Sequence, residues 1–241
     1  MVRLEMTATA RLDVDVLSLF PRMLDGFLAE SILGRAIRRG ILRVTSRSLR
    51  EWAPTGHGTV DDRPYGGGAG MILKAEPVCR AVAELRCPTS VAIYLCPDGE
   101  SFTATMAREL ANECHLILIC GHYEGLDERA RELAVDREIS IGDYVLTNGV
   151  LAAAVLIDAV ARHVPGVLGK SQSLEQDSFR HNLLSFPQYT RPRIFAERQV
   201  PDILLGGDHK RIDAWRLGQQ MERTRLRRAD LLGKQDDGQA T

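Results

Sequence analysis

The sequence predicts an α/β fold built on a parallel sheet, with a small, strand-free α-helical domain at the C-terminus. Two observations carry that expectation. Residues 91–96 (VAIYLC) and 115–120 (HLILIC) are continuous apolar runs set between amphipathic helical patterns. Such runs read as strands buried on both faces, which belong to parallel sheets covered by helices on two sides. After Pro165 the alternation stops, and polar, basic, helix-prone sequence takes over.

The elements follow in order. Residues 11–19 (RLDVDVLSL) alternate apolar and polar and end at Phe20-Pro21, which predicts a strand. Residues 31–39 read as a short helix stopped by Gly40, and residues 41–49 as another extended segment. Residues 52–70, rich in Gly, Pro and Asp, read as loop. Residues 75–85 are helical, and residues 102–111 place Phe102, Met106 and Leu110 on one helical face. Residues 126–134 form a further helix with Leu126, Ala130 and Leu133 facing the core. Residues 151–163 are apolar nearly all round, so that helix should be buried. The expected division is an α/β domain over 1–165, a flexible linker over 166–177 and a helical domain over 178–241, with a disordered tail from 234.

Composition narrows the class. The 241 residues are 44% hydrophobic and 26% charged, as in a folded globular protein and unlike a disordered chain. The longest apolar run, 150–157, covers eight residues, whereas a membrane span needs about 20. No signal-peptide core opens the chain, so a cytoplasmic location is expected. The five cysteines form no C-x-x-C, which argues against a zinc site or a disulfide frame. Cys96 and Cys120 end apolar runs and read as small core residues. Net charge is −1, yet residues 31–50 hold six Arg and no acid, and residues 206–228 hold seven basic residues. Two basic blocks on a neutral protein fit either a nucleic-acid footprint or solvated helix faces.

Ligands of open parallel sheets sit at the C-terminal ends of the strands. Three turns are expected there: Cys96-Pro97-Asp98-Gly99, Gly121-His122-Tyr123-Glu124-Gly125, and residues 141–149. Each alone reads better as a plain αβ turn. Together, with Tyr123 and Tyr144, they suit a planar polar small molecule held by backbone hydrogen bonds. Phosphate motifs fail. Residues 166–171 (GVLGKS) lack the first Walker glycine, since Val164 occupies that place, and residues 66–70 lack dinucleotide spacing. No G-x-S-x-G points to a hydrolase. The long loop 61–71 (DDRPYGGGAGM) is costly to order unless it works. Asp158 and Arg162 share one face of an otherwise apolar helix, as a surface pair or as groups aimed into a site. Asp177 alone reads as the N-cap of a helix over 179–184.

The combination resembles the bacterial tRNA (guanine-N(1))-methyltransferase family, TrmD, of the deep-trefoil-knot class called SPOUT. The matching strings, in family order, are Leu19-Phe20-Pro21, 59–71 (TVDDRPYGGGAGM), 121–129 (GHYEGLDER), 140–146 (SIGDYVL), 156–162 (LIDAVAR), 165–169 (PGVLG), Asp177-Ser178-Phe179, 189–192 (YTRP) and Val200-Pro201. The resemblance implies a knotted cofactor-binding domain, a tRNA-binding helical domain, a homodimer and S-adenosylmethionine as methyl donor. By correspondence the cofactor pocket takes Tyr94, Leu95, Cys96 and Pro97, then Gly121, Tyr123, Glu124 and Gly125. It also takes Ser140, Ile141, Gly142, Asp143, Tyr144, Val145, Leu146 and Gly149. The catalytic acid/base falls on Asp177 and its arginine partner on Arg162. The implied reaction methylates N(1) of guanosine 37 in tRNA. The alternatives are a knotted methyltransferase for another RNA position, or a non-catalytic RNA-binding relative. The family is associated with Mg2+, but no closed ligand cluster is visible, and only Glu124 or Asp177 could serve an ion in passing. Three positions depart from the family pattern: Asn148-Gly149-Val150 for Gly-Gly-Glu, His122 for Arg, and Ala152 for Pro.

Overall fold

In a computed structural model that describes residues 11–54, 56–169 and 177–233, the chain divides into two units, Met1–Gly169 and Lys170–Thr241. The first unit opens with β1 (Leu12–Ser18), α1 (Asp25–Ala29), α2 (Ser31–Arg38) and β2 (Leu42–Ser48). The short β3 (Asp61–Asp62) and β4 (Ile72–Leu73) bracket the glycine-rich loop as an antiparallel pair. Then come α3 (Ala75–Leu85), β5 (Ser90–Ser101), α4 (Ala104–Leu110), β6 (His115–Cys120), α5 (Glu128–Ala134), β7 (Arg137–Ser140) and α6 (Val150–Ala161). The second unit holds a hairpin, β8 (Ile194–Phe195) and β9 (Arg198–Gln199), and the long α7 (His209–Arg227).

The strand order is β2-β1-β6-β5-β7, and every pairing is parallel. The predicted α/β class with a central parallel sheet is therefore what forms. β6 shows why its run is apolar throughout: Leu116, Leu118 and Cys120 join the core layer containing α6, while Ile117 and Ile119 join the layer containing α3 and α5. Successive strand residues face opposite sides, so a strand between two helical layers needs apolar groups at every position. Polar caps start the helices. Thr103 Oγ1 accepts the Met106 amide at 3.2 Å to open α4, and the Asp127 carboxylate accepts the Arg129 amide at 3.0 Å to open α5.

Several local expectations are corrected. The turn read at residues 96–99 lies inside β5, because β7 pairs with it on both sides of a bulge: Leu95 and Glu100 both oppose Ile139. β7 escaped sequence reading because four residues beginning Arg-Glu carry no strand pattern of their own. Leu133 is 78% exposed and Ala134 is buried instead, because the inner face runs from Ala130 to Ala134, one i, i+4 step, rather than to i+3. α6 is not buried all round: Leu151 and Val155 are exposed. In the second unit, read as strand-free, residues 194–199 form the β8–β9 hairpin. Residues 178–184 form turns rather than a helix, with Phe179, His181 and Asn182 at positive φ. Most of the expected linker, 170–176, and the tail 234–241 lie outside the described residues.

Candidate active site

β5 brings its bulge, and β6 and β7 their following loops, to one end of the sheet, around a cavity of about 320 Å³. That volume is in the range of small-molecule sites. Tyr94, Leu95, Cys96 and Pro97 of β5 line it. So do Gly121, Tyr123, Glu124 and Gly125 after β6, and Ser140, Ile141, Gly142, Tyr144, Val145, Leu146 and Gly149 after β7. Asp143, expected there too, is exposed and does not line the cavity.

The loops are locked by backbone. The Gly149 amide donates to Gly121 O at 2.8 Å, and His122 bridges Asn148. A Cβ on residue 149 would stand 2.8 Å from Gly121 N and 2.9 Å from Cys120 Cα, so only glycine lets the third loop lie on the end of β6. Asn148 Oδ1 accepts the Val150 amide at 2.9 Å, which starts α6 without the family's glutamate. Val150 is instead a buried core residue, and Ala152 lines the cavity. The His122 ring packs 5.3 Å from Phe20. The segment after the glycine-rich loop is pinned here as well: Glu124 N donates to Met71 O at 3.0 Å and Leu73 N to Gly125 O at 2.9 Å. The 61–71 loop therefore hangs beside the cavity's second turn.

Sequence reasoning missed Arg131, which reaches the cavity from α5. It donates to Asp98 at 2.7 Å and to Glu138, and lies 5.5 Å from the centre of the Tyr94 ring. No local pattern marks it, because its partners lie on β5 and β7. The Arg131 hydrogen bond holds the Asp98 carboxyl below its usual range. Burial, with the Cys96 charge adding to it, pushes the Tyr94 hydroxyl up to about 12. Burial and the Asp98 hydrogen bond push the Cys96 thiol up to about 12. Both groups are neutral at neutral pH. Cys96, Asp98 and Glu138 hold their ligand atoms within 4.8 Å of one another. Arg131 donates to both carboxylates, so this cluster is bound together as an ion-pair network.

Arg162 is the C-cap of α6, its amide donating to Asp158 O at 3.3 Å, and it stands outside the cavity lining. Asp158 is exposed. Asp177 belongs to the second unit, where its carbonyl accepts the Arg180 amide at 3.4 Å. The turn it opens is tied to α7: the buried Thr224 accepts the Leu184 amide at 2.9 Å, and Arg223 donates to Ser185 O at 3.1 Å.

A family model described as tRNA (Guanine-1)-methyltransferase TrmD matches residues 12–234. The chain belongs to the TrmD family. Among its relatives, a tRNA (guanine-N(1)-)-methyltransferase of Carboxydothermus hydrogenoformans is 52% identical over 219 residues, 91% of this chain and 87% of the relative. One of Geobacillus kaustophilus is 52% identical over 221 residues, covering 91% of both chains. One of Chlamydia pneumoniae is 56% identical over 218 residues, 90% of this chain but 60% of the longer relative. Membership in TrmD covers both units, since the matched residues run from the start of β1 to the end of the described chain.

Proposed function

We propose that this protein is a methyltransferase that moves the methyl group of S-adenosylmethionine to N(1) of guanosine 37 in tRNA. One observation carries the reading: the three segments that the family pattern assigns to the cofactor, the β5 bulge and the glycine-bearing loops after β6 and β7, converge on a single cavity. The residues present fit the cofactor. Loop amides and carbonyls suit a planar base, and the Glu124 carboxylate on the wall suits a positively charged sulfonium. Bound there, S-adenosylmethionine supplies an electrophilic methyl group.

The protein's own work is proton and charge management. Guanine N(1) is protonated at neutral pH, so its lone pair becomes free only when a base removes that proton. In this reading the Asp177 carboxylate takes it. The negative charge that develops on the neighbouring carbonyl oxygen is met by the Arg162 guanidinium. Because N(1) sits on the pairing edge, the base is read flipped out of its stack. No step is assigned to Mg2+; Glu124 and Asp177 are the carboxylates that could meet such an ion.

The finer architecture belongs to the same proposal. The return of the 141–149 loop onto Gly121 supports a chain threaded as a deep trefoil knot. α7 and its basic residues support a tRNA-binding role for the second unit. Exposed Phe20, Met23 and Phe27, together with exposed Leu151 and Val155 on α6, support a homodimer in which Asp177 acts in the partner's site. No described helix is long and apolar enough to cross a membrane, and a tRNA substrate suits the cytoplasm.

A methyl-transfer assay on unmodified tRNA transcripts, with the product nucleoside mapped, tests the whole reading. Methylation at N(1) of guanosine 37 is expected. A methyl group mapped elsewhere overturns the site of action, and cofactor binding without transfer overturns the enzyme reading in favour of an RNA-binding protein.

A further inference from the structure

A second cavity of about 650 Å³ lies away from the first, lined by residues of β1, β2 and β6 and of the turn before β5. On β1, Asp13 and Asp15 alternate with the core residues Leu12, Val14 and Val16, so this stretch of the sheet's second face is polar. Four side chains there form a continuous relay. Ser90 Oγ donates to Cys87 Sγ at 3.1 Å and lies 2.7 Å from His115 Nδ1. His115 Nε2 lies 3.1 Å from Asp15 Oδ2, and Arg47 Nε donates to Asp15 Oδ1 at 2.6 Å. The register builds this arrangement: Ser90 pairs directly with His115, which pairs with Asp13, one side-chain period from Asp15. Cys87 enters through a turn in which its amide donates to Ser90 Oγ at 2.8 Å.

We propose that Cys87 is the nucleophile of a modification site that takes small, carboxylate-bearing disulfides by thiol–disulfide exchange. With the Ser90 hydroxyl donating to the Cys87 sulfur, the arrangement is that of the thiolate, its proton relayed by way of Ser90 Oγ to His115 Nδ1. The resulting imidazolium donates to Asp15, whose second oxygen Arg47 holds. The Cys87 sulfur pair forms a bond to one sulfur of the incoming disulfide, and the old S–S bond breaks. The departing thiolate takes its proton from His115. One thiol and one disulfide enter, and one mixed disulfide and one thiol leave. Hydrogen bonds from Ser90 first, then Thr89, bring the Cys87 thiol down to about 6. Cys114 also lines this cavity, but among the described residues its sulfur has no such relay. Three arginines face two aspartates. Among the described residues of this lining, Arg43 pairs with Asp13 and Arg47 with Asp15, and Arg11 is the third cation, which favours an anionic partner.

The test uses the full-length protein and peptide mass spectrometry. Because a depressed pKa also lowers intrinsic nucleophilicity, the pH midpoint is more telling than the absolute rate. Iodoacetamide should alkylate Cys87 with a midpoint near pH 6. In Ser90→Ala the midpoint should rise by up to about two pH units, towards an ordinary thiol near 8.5, and in His115→Gln by a smaller step. Labelling of Cys114 should not change. Oxidised glutathione should form the mixed disulfide at Cys87 several-fold faster than the cationic cystamine, and Arg11→Gln should erase that preference. A wild-type midpoint at or above about 8 overturns the proposal. An unchanged midpoint in whichever variant folds also overturns it, and equal rates for the two disulfides overturn the anionic partner.

Discussion

At Gly149 the site depends on a missing side chain. Gly149→Ala would drive a methyl group into Gly121 N and Cys120 Cα, both backbone atoms that cannot rotate away. The expected cost is about 1–3 kcal/mol, read as a lower urea midpoint, with weaker S-adenosylmethionine binding by calorimetry. The catalytic pair makes a different prediction. Asp177→Asn keeps size and hydrogen-bonding reach but removes basicity, so single-turnover methylation should fall by about 10²–10⁴-fold. Arg162→Ala should also slow that step, by about 10²–10³-fold if it acts as a single oxyanion donor. Neither residue lines the cavity, so cofactor affinity should hold in both variants. A full-rate Asp177→Asn enzyme would assign the proton to another group. Single residues were also the least legible scale. Arg131 could not be found from the sequence, because its meaning comes from Asp98 and Glu138 on other elements.

Elements carry the alkaline limit of stability. β5 and β6 bury Tyr94, Cys96 and Cys120, and burial raises each from its ordinary value to about 12. A group raised in the folded state stabilises fully below its unfolded value and loses that contribution as pH climbs to the folded one. Unfolding free energy should therefore hold to about pH 9 and then decline towards about pH 12. Cys120→Ala should flatten part of that decline in urea titrations, while costing stability at neutral pH through the cavity it leaves. α7 gives the opposite kind of test. A Cβ on Gly218 meets nothing within 4 Å, so Gly218→Ala should raise stability by up to about 1 kcal/mol. Helices and strands were legible wherever the pattern was long. α3 and β6 match their predicted bounds, whereas β7 and the β8–β9 hairpin are too short to show a period.

For the whole molecule the first prediction is assembly. Light scattering at micromolar concentration should give twice 26.7 kDa. Val155→Asp should shift the protein to monomer and abolish methylation, because a charge would replace an exposed apolar contact on α6. A fully active monomer would overturn the shared-site reading. The second prediction concerns tRNA. Arg216 stacks on Phe186 and Arg223 holds Ser185 O, so replacing them would disturb the fold of the second unit. Arg211 and Arg227 are exposed on α7 and are the cleaner probes. Neutralising both should weaken tRNA binding and reduce its salt slope by up to about two, leaving cofactor affinity intact.

The sequence by itself determined the class of fold, the main strands and the loops that line the cavity. Each rests on local information: apolar runs such as residues 115–120, and glycines where backbones must touch. Only the tertiary structure decided the strand order, the bulge that makes residues 96–99 part of β5, the Arg131 network and the relay from Cys87 to Asp15. These depend on residues far apart in the chain meeting in register. His115 lies 100 positions from Asp15, and no local periodicity encodes that meeting. It follows from β1 and β6 lying side by side, which packing of both helical layers on one sheet decides.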